Sequence, residues 1–385
     1  MRILVLTHEY PPVGGGGGRV AQDICTGLAG RGHELTVLTA QCEGLPEKEE
    51  QDSLCLVRIK SGRRQPFRAD MRAMLGYVWA GFWQGRRIIH RWKPDVIHVH
   101  FAVPAGVVAW ALSVVTGVPY VLTAHLGDVP GGVPEKTGKW FRWIKPFTPP
   151  IWRRAAKVVA VSDFTRCLAL EHYPVDIAVV PNGVDLQALD PGEIVVHDPP
   201  QVVFAGRFMP QKNPLQIVES LAAIADLPWQ CVMMGDGPLR PAVEEAIARH
   251  GLQERFVLSG WVSPQEVIDC FRQSDVYFMP SLSEGLPVVG VQSMAMGLAL
   301  VLGAAGGNVE LIEDGVNGFL RDPHDRDGFA GALRELLSNP ARLLAARRAS
   351  REMAERFDLD VVVSRYEELI TGTGQRFRSL TVKPS

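Results

Sequence analysis

Two cations five residues apart, Arg207 and Lys212 in FAGRFMPQKNP, end a run that reads as a strand and precede a helical pattern. At a strand end such a pair can neutralise a diphosphate without a metal, the arginine by forked hydrogen bonds and the lysine as a point charge. Either residue alone reads as a solvated surface charge. The pair gains weight from SLSEGLPVVGVQSMAMG, residues 281–297, where Glu284 follows a strand ending in Met279 and Pro280. A helix beginning near Pro287 has an amino terminus that favours negative charge. In that loop a carboxylate can accept hydrogen bonds from sugar hydroxyls, while the backbone of Gly285, Leu286, Pro287 and Val288 serves a phosphate. Helix capping is the structural alternative for Glu284.

A third stretch, YPPVGGGGGRV at 10–20, follows the strand-like RILVLT. Five glycines are costly to order, so something must come close to this backbone. The dinucleotide fingerprint fits poorly, because HEYPP separates strand from glycines and no acid ends the second strand; a Walker loop fails for want of GKS or GKT. What remains is a glycine turn leading into a helix from about Val20, whose amides can face an anion. A flexible surface loop is the alternative.

These residues need a scaffold, and the chain supplies an alternation of short apolar runs with helical periodicity, twice over. RILVLT, ELTVLT, VIHVH, YVLTAH and KVVAVS form the first set; QVVFAGR, WQCVMMG, RFVLSG, VYFMP and LALVLG form the second. This predicts an α/β protein of two Rossmann-like, doubly wound domains facing a central cleft, with the chemistry at strand carboxyl ends. The Pro-, Gly-, Asn- and Asp-rich VVPNGVDLQALDPGEIVVHDPP between the sets is the predicted hinge. The expected boundaries are 1–183 for an acceptor domain and 184–365 for a donor domain. A tail, 366–385, either frays or packs back on the first domain.

At 385 residues and 46% hydrophobic content, two ordinary cores are affordable. Net charge is −2, which gives no general attraction to nucleic acid, but residues 1–190 hold 22 Lys and Arg against 17 Asp and Glu, leaving the remainder acidic. Six cysteines without metal-like spacing fit a reducing compartment, and a cytoplasmic protein is expected. Residues 96–127 and 285–309 lack charged side chains. Both are broken by Pro and Gly and read as a helix beside a buried parallel strand rather than as membrane spans.

GRFMPQK, EGLPVVGVQSMAMG and DGVNGFL, with PPVGGGGGRV, DVIHVH and VPNGVD, resemble the retaining GT-B glycosyltransferases of family 4, in order and over nearly the whole chain. The resemblance implies a sugar moved from a nucleoside-diphosphate-sugar donor to an acceptor with anomeric configuration retained, the leaving phosphate deprotonating the acceptor. It implies that Gly15 and Gly16 let the donor diphosphate approach, that Arg207 and Lys212 stabilise its departure, and that Glu284 contacts donor-sugar hydroxyls. Gly206 accompanies Arg207 in the same loop. His125, in LTAHLGD, matches a histidine facing the sugar, with capping or core packing as its alternative. Gly260 and Trp261 fall where the backbone reads the base, and packing would explain Trp261 equally well. The family's Glu-x7-Glu is broken here, since the residue that should hold the ribose is Gln292. An amide can still bond a hydroxyl but loses the charge-assisted part.

His98 and His100 alternate along one strand and are expected on opposite faces, which would make at least one structural. The Asp-x-Asp triplets at 325–327 and 358–360 read as helix caps, so neither metal nor cofactor is expected. Residues 58–93 carry ten Lys and Arg and one acid among Phe67, Tyr77, Trp79, Phe82 and Trp83. Residues 136–157 carry seven with none, among Trp140, Trp143 and Trp152. Such mixtures suit an anionic bilayer, the inner membrane face for a cytoplasmic protein, and a lipid-linked acceptor; an acceptor-binding or merely solvated face is the alternative. An epimerase or hydrolase on the same fold, or a silent nucleotide-sugar-binding subunit, are the rival activities.

Overall fold

The structure is a computed structural model that describes residues 1–65, 69–133 and 143–381, with side chains through Phe377. The chain forms two compact units, Met1–Gly183 with Leu359–Ser385, and Val184–Asp358.

The N-terminal unit is built on β1 (Arg2–Leu6), β2 (Glu34–Ala40), β3 (Lys48–Gln51), β4 (Leu54–Ile59), β5 (Val96–His100), β6 (Tyr120–Ala124), β7 (Lys157–Ala160) and β8 (Ile177–Val179). Their order is β3-β4-β2-β1-β5-β6-β7-β8, and only β3 runs antiparallel. The C-terminal unit holds β9 (Gln201–Ala205), β10 (Gln230–Met234), β11 (Phe256–Gly260), β12 (Val276–Met279), β13 (Ala299–Gly303) and β14 (Gly318–Arg321), all parallel, in the order β11-β10-β9-β12-β13-β14. Strand order therefore reverses between β1 and β5 in one sheet and between β9 and β12 in the other. A doubly wound sheet leaves its ligand crevice at that reversal, outside the carboxyl ends of the strands.

Central strands such as Ala299–Gly303 are buried at every residue, because helices cover both faces. The uncharged stretch 96–127 becomes β5, the helix Ala105–Thr116 and β6; the stretch 285–309 contains the helix Val288–Ala295 and β13. Among the described residues no helix is long and apolar enough to cross a membrane.

The first boundary lies at 183/184, inside the Pro- and Gly-rich segment. The second lies at 358/359 and not at 365/366, which falls in the middle of the helix Leu359–Thr381. That helix packs on the N-terminal unit from its first turn. Val362, Val363, Tyr366 and Ile370 are buried, and Gly27 admits Val363 so closely that a Cβ there would lie 2.5 Å from its Cγ2. Glu367 joins it to the unit's surface, accepting from Arg31 Nη1 at 2.8 Å and lying 2.8 Å from His33 Nε2. Phe377 still packs on this core, so the described part of the tail is ordered helix.

Candidate active site

In the C-terminal unit, the loops leaving β9 and β12 carry the charged residues. Lys212 ends the short turn Pro210–Lys212, and its Nζ donates to Glu284 Oε1 at 2.5 Å. The two loops are stitched twice more: Leu282 N donates to Gln211 O at 2.8 Å, and Gln211 Nε2 to Ser283 O at 2.8 Å. Glu284 is only 6% exposed, so the pair stands in a place of low dielectric, where the attraction is strong and either charge alone is costly. Arg207, one residue beyond Gly206, is exposed and has no ion pair among the described residues. The cations are thus unlike: one is free to meet an anion, the other is half neutralised in advance by the acid expected to touch sugar.

Past Glu284 the chain runs through Gly285, Leu286 and Pro287 into the helix Val288–Ala295, whose amino end no side chain caps. Helix capping by Glu284 is therefore not its role. Gln292, half-buried, lies one turn further along this helix. Two glycines that sequence reading passed over hold the loop in place. A Cβ on Gly306, at φ +59°, would lie 1.8 Å from Glu284 O, and one on Gly307 would lie 1.6 Å from Gly285 O. Gly307 N donates to Glu284 O at 2.9 Å. A third overlooked glycine, Gly235 at φ +136°, seals the neighbouring floor: its N donates to Gly260 O at 2.8 Å, and a Cβ would lie 1.9 Å from Gly206 O. The available signals were GDG after β10 and AAGGN after β13. Gly260 sits at φ +68°, and Trp261 beyond it is 58% exposed, so core packing does not explain that tryptophan.

In the N-terminal unit the glycine run proves mixed in purpose. Glu9 Oε2 accepts from Gly15 N at 3.1 Å, so the anion on that amide is the protein's own carboxylate. A Cβ on Gly14, at φ +106°, would strike the Glu9 side chain at 2.5 Å; one on Gly17 would strike the Phe101 ring at 2.6 Å and lie 3.4 Å from His125 Cε1. Gly18 is crowded by Glu9 as well, whereas a Cβ on Gly15 meets nothing within 4 Å. Internal packing thus accounts for three of the five glycines and leaves Gly15 facing open space. The helix starts earlier than predicted, at Gly16.

His125 follows β6 and closes a capping box with Asp128, its backbone N donating to Asp128 Oδ2 at 2.9 Å. Its ring stacks on Phe101 with centroids 4.4 Å apart, and its Nε2 is buried without a hydrogen-bond partner among the described residues. Burial pushes its pKa down to about 4, so the ring is neutral. His98 and His100 do not point to opposite faces. Residues two apart on a strand share a face, and these rings lie 4.4 Å from each other. His98 Nε2 lies 3.0 Å from Thr123 Oγ1, which donates to Tyr366 of the last helix at 3.5 Å. Burial lowers both, His98 to about 3.

Of the Asp-x-Asp triplets, Asp325 caps the helix Arg326–Leu337, accepting from Gly328 N at 2.8 Å. Asp358 immediately precedes the helix Leu359–Thr381, and Asp360 lies in its first turn. Among the described residues no cluster of three His, Cys, Asp or Glu side chains could hold a metal ion.

Comparison with known proteins agrees over both units. Residues 14–188 match the family described as Glycosyltransferase Family 4, and residues 189–356 match Glycosyl transferases group 1. The 2-deoxystreptamine glucosyltransferase of Streptomyces kanamyceticus is 28% identical over 375 residues, covering 89% of this chain and 96% of that one. Sucrose-phosphate synthase of Thermosynechococcus elongatus superposes with a TM-score of 0.84 at 20% identity, covering 98% and 99% of the two chains. HepE of Anabaena, solved with UDP and glucose, superposes with a TM-score of 0.75 at 20% identity, covering 97% and 100%.

Proposed function

Because the chain belongs to the glycosyltransferases of family 4, with a group 1 transferase module and a GT-B fold, we propose that it moves a hexose-like sugar from a nucleoside diphosphate to an acceptor, retaining the anomeric configuration and using no metal. The observation that carries this reading is the bonding of Lys212 to Glu284 between the loops that leave β9 and β12, where strand order reverses, with exposed Arg207 on the first of these loops and a helix without a side-chain cap among the described residues beyond the second.

Charge growing on the leaving diphosphate is met by fixed dipoles and cations, the electrostatic effect that is usually largest in such sites. Arg207 supplies a fork of donors, Lys212 a point charge, and the backbone of Gly285 to Val288 the helix amino end. Glu284, bonded to Lys212 through one oxygen, keeps the other for a sugar hydroxyl and serves as an acceptor, not a nucleophile. Gly206, Gly260 and Trp261 line the base side, and Gln292 takes the ribose through neutral hydrogen bonds. In the N-terminal unit, Gly15 and Gly16 give the diphosphate close approach by having no side chain, the Gly15 amide itself being held by Glu9. Neutral His125 offers its unpartnered Nε2 to a sugar hydroxyl. The UDP and glucose found with HepE support a nucleotide-sugar donor.

The test is incubation with UDP-, GDP-, ADP- and dTDP-hexoses, with and without a pool of soluble and lipid-linked acceptors, in chelator. Nucleoside diphosphate should appear only with acceptor, and the product's anomeric proton coupling should match the donor's. Release without acceptor marks a hydrolase, and an epimerised donor an epimerase. Activity restored only by magnesium or manganese overturns metal independence, and binding without turnover leaves a silent subunit.

A further inference from the structure

The helix Met71–Trp92 turns an apolar stripe away from its own core. Met71, Leu75, Trp79 and Trp83 recur at four-residue spacing, and all are exposed, Trp79 by 71%. A surface helix ordinarily turns such residues inward. Here the inward face is already supplied by Ala73, Tyr77, Gly81, Gly85 and Ile89, with Gly81 and Gly85 letting Val108 and Leu112 of the helix Ala105–Thr116 close in. The stripe is about 18 Å long at the helical rise of 1.5 Å per residue, and none of its four residues belongs to the unit's buried core.

Beyond Trp83 the same outward face becomes cationic, with Arg86, Arg87, His90 and Arg91. From Met71 to Lys93 there is no Asp or Glu, and none of these arginines has an ion pair among the described residues. Beside the helix, against β4, runs a groove of about 680 Å3. Val57, Ile59 and Trp92 give it apolar walls, and Arg87 and Arg91 a cationic rim; Trp83 belongs to groove and stripe alike.

We propose that this face docks on an anionic phospholipid bilayer, the stripe entering the interfacial layer and the groove taking a lipid by its phosphate and the start of its chain. Aromatic and aliphatic residues on one stretch of a helix, with unpaired arginines on the next, match a surface that is apolar below and anionic above. A second copy of the chain fits worse. A two-fold contact through this helix would set arginines against arginines, since the helix itself carries no acid and Glu47, which also lines the groove, is already paired with Lys60 at 2.8 Å. Not every aromatic of the basic segments takes part. Tyr77 is core, donating to Leu38 O at 2.9 Å, and Trp152 is buried against Tyr173. Phe67, Lys136, Lys139, Trp140 and Arg142 lie outside the described residues, while Trp143 and Phe147 are exposed.

Flotation of the full chain with vesicles tests this, comparing phosphatidylcholine alone with phosphatidylcholine containing phosphatidylglycerol, at low and at physiological salt. The parent should float with the anionic vesicles only, less at higher salt, and its tryptophan emission should shift to the blue. Leu75→Ser/Trp79→Ser should abolish flotation. Arg87→Gln/Arg91→Gln should weaken it about fivefold for each arginine. The changed side chains point to water, so melting temperature should stay at the parent's value in both variants. Absence of flotation at low salt overturns the proposal, as does parental flotation by the serine variant. Self-association that the serine variant abolishes, without flotation, assigns the face to a second copy and also overturns it.

Discussion

Lys212→Ala is the perturbation on which the reading of the C-terminal site turns. The substitution removes the ammonium 2.5 Å from Glu284 Oε1 and leaves a carboxylate in a residue only 6% exposed. Breaking a fully buried ion pair from one side costs about 3–5 kcal/mol, because the remaining charge loses its partner without regaining water. The lysine side chain is 20% exposed, so water makes up part of the loss, and about 2–3 kcal/mol is expected. For a domain of this size that lowers the melting temperature by about 5–10 °C. Glu284→Gln added to Lys212→Ala should restore most of it, since the orphaned charge is gone. Arg207→Ala should leave stability within about 0.5 kcal/mol, its side chain being exposed and unpaired. Turnover should nonetheless fall by about a hundredfold or more, the loss of one fixed donor from a developing charge. Calorimetry resolving the two units, with acceptor-dependent release of nucleoside diphosphate, gives both readouts. A Lys212→Ala protein that melts with the parent, or a double variant no more stable than the single, would refute the coupling. Unimpaired turnover in Arg207→Ala would refute the diphosphate assignment.

The glycine run should divide under substitution. Gly17→Ala, which drives a Cβ into the Phe101 ring, should destabilise the N-terminal unit by about 1–3 kcal/mol; Gly15→Ala should melt normally yet bind nucleotide sugar more weakly, and normal binding would make that residue a spacer. Gln292→Glu should tighten nucleoside diphosphate about fivefold, near 1 kcal/mol, if the side chain bonds the ribose, as titration of parent and variant would register; an unchanged affinity would place it off the ribose. Stability of the N-terminal unit should depend on pH through its buried histidines. His125 at about 4 and His98 at about 3 are held below their ordinary value, so between pH 6.5 and about 4 the unfolded chain binds protons that the folded one refuses. Stability is therefore complete above pH 6.5 and falls as pH drops through that window, by about 2 kcal/mol for each such histidine between pH 7 and 5. Urea unfolding at the two pH values checks this, and equal midpoints would contradict neutral burial.

The strands and their alternation with helices were legible because a parallel strand covered on both faces must be continuously apolar, a local property of composition. The placement of Arg207, Lys212 and Glu284 on loops at strand carboxyl ends was legible too, since each follows such a run within a few residues, where a doubly wound sheet opens its crevice. β3, with all four residues exposed, the three-residue β8, and the partly exposed β4 and β14 left no such signature and do not read as strands. Nor could spacing along the chain reveal that Lys212 and Glu284 bond to each other, that Glu9 occupies the Gly15 amide, or that Phe101 is what Gly17 accommodates. The Glu9 contact is local, six residues along one loop, but depends on how that loop turns; the other two join loops far apart in sequence and are fixed only when neighbouring strands bring their ends together. The same holds for the last helix. Its buried spacing at Val362, Val363, Tyr366 and Ile370 could be read from periodicity alone, but periodicity says only that a face is covered. Which unit covers it was decided by Gly27, Thr123 and His33, residues that become its neighbours only once the chain has folded back upon its beginning.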